Sequence, residues 1–303
     1  MWLYIPRDEL FSDGWGDCDR VIETATPFLE PDEAQPLALK WAQPTKSWGI
    51  ERRLGVAVSP CALAPAGVER LTVLRMTPAR GQVRARVVVP PSWADAGFSM
   101  RTRLFAPLVQ QGIELWLLEG AFFGNRRPSG QIGVGIRTVA ELLSMGLCDL
   151  TELRGMVAAA REEEPKAPVV LAGFSMAGQF SAQVAATLVW DIPVVAMSPS
   201  DSPVAVFCEG PLSKSVAWGA LGEGGRERLI PLLERFGIRS LAPPPSKKRI
   251  LLATRHDGIV PPSAFERVAA HWQVEPRWLE SGHLGAFMFN RAALRSAVLE
   301  VLG

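Results

Sequence analysis

The chain has 303 residues, of which 48% are hydrophobic and 21% charged, the balance of a globular fold and not of a disordered or collagen-like chain. Its 32 basic and 31 acidic residues leave a formal net charge of +1, so no overall field exists to hold a nucleic acid or an anionic membrane, and neither is an expected partner. No apolar run reaches the roughly 18 residues of a membrane span, and Met1–Asp8 lacks a basic stretch followed by an apolar one, so we expect a cytoplasmic protein without a membrane span.

The first fifty residues carry Trp2, Phe11, Trp15, Phe28, Trp41 and Trp48 between turn signals with little periodicity, and read as an irregular extension packed on a core. Short β-like runs follow at Leu54–Val58, Val68–Met76 and Arg84–Val89, each closed by Pro or Gly, which suits an antiparallel start. From about residue 100 strand alternates with helix, the pattern of a parallel sheet covered on its faces. Helical signal over 101–111 precedes a strand over 113–118, and a long helix over 136–164 precedes a strand over 169–172. A helix over 176–190 and a strand over 193–197 come next. After a mixed segment, the chain resumes with strands over 249–254 and 277–279 and helices over 263–272 and 291–302. The runs Val87-Val88-Val89 and Pro168–Ala172 have no polar alternation, as in strands buried on both sides. One α/β domain over 1–303 accommodates all of this. Residues 201–246, with the Gly222–Gly225 turn and the stiff Pro243-Pro244-Pro245 connection, read as a small insertion that could cap the carboxyl ends of the strands.

Chemistry concentrates at three places. Val169–Phe174 runs into Gly173-Phe174-Ser175-Met176-Ala177, an apolar strand followed by a helix with small residues two before and two after the serine. That is the pattern of a nucleophile elbow, in which strand and helix approach closely and hold a serine in a strained backbone. Downstream, the strand over 249–254 ends in His256-Asp257-Gly258, where Asp257 can orient an imidazole. Next comes Ser281-Gly282-His283-Leu284, which we expect to be a flexible loop presenting His283 as the base. Ser, then acid, then His is the order used by one fold with this elbow. Asp201, after the preceding strand, is the alternative acid. The four cysteines, Cys18, Cys61, Cys148 and Cys208, have no metal-ligand spacing and read as free buried thiols; no metal and no cofactor is expected.

The elbow, the Asp segment and the Gly-His segment resemble the α/β-hydrolase superfamily. Within it, Leu118–Pro128 is similar to a Leu-Glu-Asn-Pro-Tyr-Tyr-Gly-x-Arg-Lys-Pro segment of the family of α/β-hydrolase domain-containing protein eighteen. Leu212–Trp218 resembles its Ser-x-Ser-Val-x-Trp element, and Gly282–Ala286 its Gly-His loop. The resemblance implies an α/β-hydrolase fold with a mostly parallel sheet of eight strands, helices on both faces and an insertion after the sixth strand. It also implies acyl hydrolysis. Where that family shows a Gly-Thr-Gly-Asp-His-like segment after the third strand, this chain has Pro90-Pro91-Ser92-Trp93-Ala94-Asp95, and proline has no N–H to offer an oxyanion. We therefore expect Met176 N–H as one oxyanion donor and Ser92 or Trp93 as the other. Phe122, Phe123, Phe174 and Phe287, with Trp93 and Met176, are candidates for an apolar pocket. The expected activity is that of a serine hydrolase acting on a small-molecule ester or thioester through an acyl-enzyme. The same residues also suit amide cleavage or acyl transfer. The alternative of another class is a non-catalytic member of the fold that binds a ligand or partner.

Overall fold

The computed structural model describes residues 9–131 and 133–303; Trp2 and the Met1–Asp8 start lie outside them. In chain order the elements are α1 (Cys18–Ala25), β1 (Lys40–Trp41), β2 (Thr45–Ser47), β3 (Ile50–Val58), β4 (Arg70–Pro78), β5 (Ala85–Val89), α2 (Ser99–Phe105), β6 (Ile113–Leu118), α3 (Val139–Glu163), β7 (Val169–Phe174), α4 (Met176–Ala186) and β8 (Val194–Met197), followed by α5 (Trp218–Leu221), α6 (Gly225–Glu234), β9 (Arg249–Thr254), α7 (Pro262–Trp272), β10 (Arg277–Leu279), α8 (His283–Phe289) and α9 (Arg291–Leu302).

The strands form one sheet in the order β1-β3-β4-β6-β5-β7-β8-β9-β10, with β2 also paired to β3. Pairing is antiparallel from β1 to the β4–β6 contact and parallel from β6 to β10. The eight expected strands are β3 to β10, and the short β1 and β2 extend the antiparallel edge. This is the α/β-hydrolase arrangement, with its insertion between β8 and β9.

Period-two geometry explains why helices cover both faces. Val88, Trp116, Leu118, Leu171, Val194 and Ala196 bury against α3, α4 and α7. Their strand neighbours Val87, Val89, Leu115, Leu117, Ala172 and Val195 bury against α2 and α9. Successive side chains point to opposite faces, so apolar runs without alternation require cover on each.

Several boundaries differ from expectation for local reasons. The helix expected over 101–111 is α2 followed by a 3-10 turn, Ala106–Gln111, with Pro107 at the junction; proline cannot donate to the i→i−4 ladder. α3 begins at Val139 because Thr138 caps it, accepting the Glu141 N–H at 3.0 Å. The N-terminal extension is not irregular throughout: Asp17 caps α1 by accepting from Arg20 N, and β1 and β2 pair with β3. Residues 201–246 contain α5, α6 and turns at Ala205–Glu209 and Pro211–Ser215. All four cysteines are free, and all but Cys18 are buried. Among the described residues, no helix is long and apolar enough to cross a membrane.

Candidate active site

The central strands β5 and β7 are neighbours in the sheet, although β6 and α3 separate them in sequence. Their carboxyl ends therefore lie side by side, the place where open α/β sheets bind ligands. β7 ends in the elbow. Ser175 holds φ +59° and ψ −129°, a region that residues with a side chain rarely occupy. The turn is held by the Ser175 N–H donating to the Met197 carbonyl at 2.8 Å and by the Gly178 N–H donating to the Ser175 carbonyl at 2.8 Å. Gly173 is required by contact: a Cβ there would sit 2.3 Å from the Ala177 carbonyl carbon.

His283 Nε2 lies 2.9 Å from Ser175 Oγ, and His283 Nδ1 lies 2.7 Å from Asp257 Oδ2. Both His283 and Asp257 are buried. Asp257 has further partners. Thr254 Oγ1 donates to Oδ2 at 2.5 Å, and the Ile259 and Val260 N–H groups donate to Oδ1 at 2.9 Å each. Burial alone pushes the Asp257 carboxyl up, but the His283 hydrogen bond and charge, with the Thr254 and Val260 donors, outweigh it and leave its pKa below the ordinary carboxylate value.

His283 is not on a flexible loop but is the first residue of α8. The Asp and His segments are laced together by the Arg255 N–H donating to the Leu279 carbonyl at 3.0 Å and the His256 N–H to the Ser281 carbonyl at 3.1 Å. A Cβ at Gly282 would meet the His256 carbonyl at 2.9 Å, so glycine is what lets the two segments approach.

The alternative acid is elsewhere. Asp201 is buried, with Oδ2 accepting from Arg267 Nε at 2.6 Å and from Arg239 Nε at 3.0 Å; two guanidinium groups occupy it. His256 is exposed beside Glu280, and His271 lies on α7.

The loop after β5 faces Ser175 across the mouth. Ser92 Oγ donates to the Phe174 carbonyl at 3.1 Å, tying this loop to the end of β7. Arg101, which also lines the cavity, clamps it. Its Nε pairs with Asp95 Oδ2, its Nη1 reaches the Leu118 carbonyl at 2.6 Å and the Val89 carbonyl at 3.2 Å, and its Nη2 reaches the Gly97 carbonyl at 2.7 Å. Met176 begins α4, so its N–H is one of the groups a helix start leaves without an intrahelical partner.

Ser175 and His283 open onto a cavity of about 370 Å³ whose wall is largely apolar. Ser92, Trp93, Phe174, Met176 and Phe287 line it. Phe122 and Phe123 do not: the turn after β6, with Phe122 at φ +65°, folds both rings back into the core against the start of α3. The Phe123 ring stands 5.4 Å from that of Trp93, which does line the cavity. Sequence reading missed Thr254, Asp95 and Arg101: Thr254 and Asp95 bond side chains only three and six positions away, with no motif marking either pair, and the other Arg101 contacts are backbone carbonyls. It also missed that α3 supplies much of the wall; residues 203–212, within the segment read as an insertion, line it as well.

The sequence model of a family described as "Alpha/beta hydrolase domain containing 18" matches residues 8–229, a range that includes Ser175 and ends before Asp257 and His283. Solved structures share the fold. An acetyl xylan esterase from Paenibacillus sp. R4 is 16% identical with a TM-score of 0.65, covering 99% of each chain. Acetyl xylan esterase 1 from Thermoanaerobacterium sp. JW/SL YS485 is 15% identical with a TM-score of 0.62, covering 100% of this chain and 99% of that one. A cold-adapted esterase from an Arctic intertidal metagenomic library is 14% identical with a TM-score of 0.58, covering 86% of this chain and 98% of that one.

Proposed function

This chain belongs to the alpha/beta hydrolase domain containing 18 family, and we propose that it is a serine hydrolase of carboxylic esters or thioesters with an apolar acyl group. The observation that carries this reading is the unbroken line of contacts from Ser175 Oγ through His283 to Asp257, at 2.9 and 2.7 Å. In it His283 Nε2 takes the Ser175 proton as Oγ attacks the acyl carbonyl, while Asp257 holds the imidazole by Nδ1 and stabilises its protonated form. The tetrahedral oxyanion is met by the Met176 N–H and a second N–H from the loop at Ser92 or Trp93. Collapse expels the alcohol or thiol, which leaves with the proton from His283. Water then attacks the acyl-enzyme with His283 again as base, releasing the acid and restoring Ser175.

The esterase titles of the fold neighbours agree with an ester substrate, and the apolar wall favours an acyl group with hydrocarbon to bury. We read residues 201–246 as a cap, because Pro203, Phe207, Leu212 and Phe236 line the same cavity as Ser175. Labelling by a fluorophosphonate probe tests the reading. The wild type is expected to label and to hydrolyse p-nitrophenyl esters. Ser175→Ala and His283→Ala should each lose labelling and reduce kcat by at least about 10³-fold. A folded wild type that does neither returns the chain to a non-catalytic binding role.

A further inference from the structure

Helix α3 carries two interior glycines, and only one of them has a packing reason. At Gly155 a Cβ would stand 3.0 Å from Leu37 Cγ and 3.1 Å from the Gln35 carbonyl oxygen, and the Gly155 carbonyl accepts the Leu37 N–H at 3.0 Å. The 35–37 segment lies directly on the helix backbone there. At Gly146 the nearest atom to an added Cβ is Phe180 Cε1 at 4.0 Å, an ordinary contact, and the backbone is not left-handed. Glycine is the least favourable helix-interior residue after proline, so position 146 carries that cost with neither a conformational nor a close-packing cause.

What Gly146 does is leave room. It lines the cavity that holds Ser175, facing Phe180 of α4, between Met145 and Leu147 of its own helix. The polar side chains on this stretch of α4 are already engaged: Gln183 Nε2 donates to the Phe236 carbonyl at 2.7 Å, and Gln179 Oε1 accepts from Ser200. The rest of the wall beside Gly146, from Leu142, Leu143, Met145, Leu147 and Phe180, is hydrocarbon.

We infer that Gly146 is a specificity-determining position, and that the groove between α3 and α4 takes an extended aliphatic acyl chain that runs along the cavity wall over the bare backbone of Gly146 beside Phe180. This rests on the hydrolase reading of the same site. A short acyl group does not reach this part of the wall, whereas each further buried methylene is worth about fourfold in affinity. A side chain at position 146 occupies that space and removes the advantage of the longer chain.

The test compares wild type, Gly146→Ala and Gly146→Leu on p-nitrophenyl acetate, butyrate, octanoate and palmitate. Gly146→Ala should melt at or above the wild-type temperature, which separates specificity from misfolding. The ratio of kcat/KM for octanoate over acetate should exceed unity in the wild type, decline in Gly146→Ala and fall at least tenfold in Gly146→Leu. An unchanged ratio in a folded, fluorophosphonate-reactive Gly146→Leu overturns the inference while leaving the hydrolase reading standing. If the wild type neither labels nor turns over, the hydrolase reading fails separately. Displacement of 1-anilinonaphthalene-8-sulfonate by octanoate then decides for the groove: displacement by wild type that weakens in Gly146→Leu supports it, and equal or absent displacement overturns it.

Discussion

Asp257 and His283, 26 positions apart in the chain, meet at 2.7 Å between Oδ2 and Nδ1, and the acid keeps three other donors besides: the Thr254 hydroxyl and the Ile259 and Val260 N–H groups. A carboxylate so fully satisfied is a rigid acceptor. It fixes the tautomer of His283 with Nδ1 as donor, which leaves Nε2 free to accept the Ser175 proton.

Replacing Asp257 with Asn should therefore keep the fold and lower kcat by roughly 10³- to 10⁴-fold with a smaller change in KM, because an amide no longer enforces that tautomer. Steady-state kinetics on one ester measures this; a loss of less than tenfold would mean another group orients the histidine.

The depressed Asp257 pKa also ties stability to pH. A group with a folded pKa below its unfolded value of ~3.9 contributes stability that is complete above the unfolded value and is lost as pH falls through the folded one. Thermal melts of wild type and Asp257→Asn should differ most near neutrality and converge on acidification below about pH 4. Parallel melting curves across that range would contradict the coupling.

Asp201 is held by Arg239 and Arg267, and its role is to join the insertion to α7. Asp201→Asn should lower stability by about 1.5–3 kcal/mol, the scale of hydrogen bonds to charged groups, with kcat within a few-fold of wild type. Chemical denaturation alongside ester kinetics separates the two. A collapse of kcat in the folded variant would return Asp201 to the list of acids.

The buried Asp95–Arg101 pair holds the loop that faces Ser175 and lines the same cavity. Asp95→Ala leaves the guanidinium without its charge partner and should cost about 3–5 kcal/mol. Asp95→Asn, which keeps an acceptor, should fold and show kcat reduced by about 10- to 100-fold through a displaced oxyanion donor. The affinity advantage of a trifluoromethyl ketone over the matching methyl ketone should shrink in the same proportion; an unaltered advantage would make the clamp purely structural.

Close approach at the elbow predicts a contrast between two glycines. Gly173→Ala drives a methyl group into the Ala177 backbone at 2.3 Å, while an added Cβ at Gly219 of α5 meets nothing within 4 Å. The first substitution should destabilise by about 3 kcal/mol or more and the second should stay within about 0.5 kcal/mol of wild type. Urea midpoints measure both.

Much of this was legible from local pattern. The unalternating runs at β5 and β7 announce strands covered on both faces, and the small residues around Ser175 announce a turn that only small residues permit. The order of Ser175, Asp257 and His283 follows from strand ends that punctuate the sequence. Local pattern also found the antiparallel start and most of the parallel alternation, because period-two burial is written residue by residue.

Tertiary structure decided what depends on distant partners. Asp201 and Asp257 are each a carboxylate after a strand, and the sequence favoured Asp257 while leaving Asp201 as the alternative; packing sets Arg239 and Arg267 against one and His283 against the other. Phe122 and Phe123 are as apolar as any wall residue, yet a left-handed turn at Phe122 sends both into the core. The loop after β5 is held by Arg101 through carbonyls at the ends of β5 and β6 that no side-chain motif encodes. Gly146 and Gly155 share one helix and one residue type, and differ only in what stands opposite: a backbone segment against one, open cavity before the other. Composition and periodicity report how a residue relates to its neighbours in the chain, and the chemistry of this site depends on groups that meet only when the sheet is assembled.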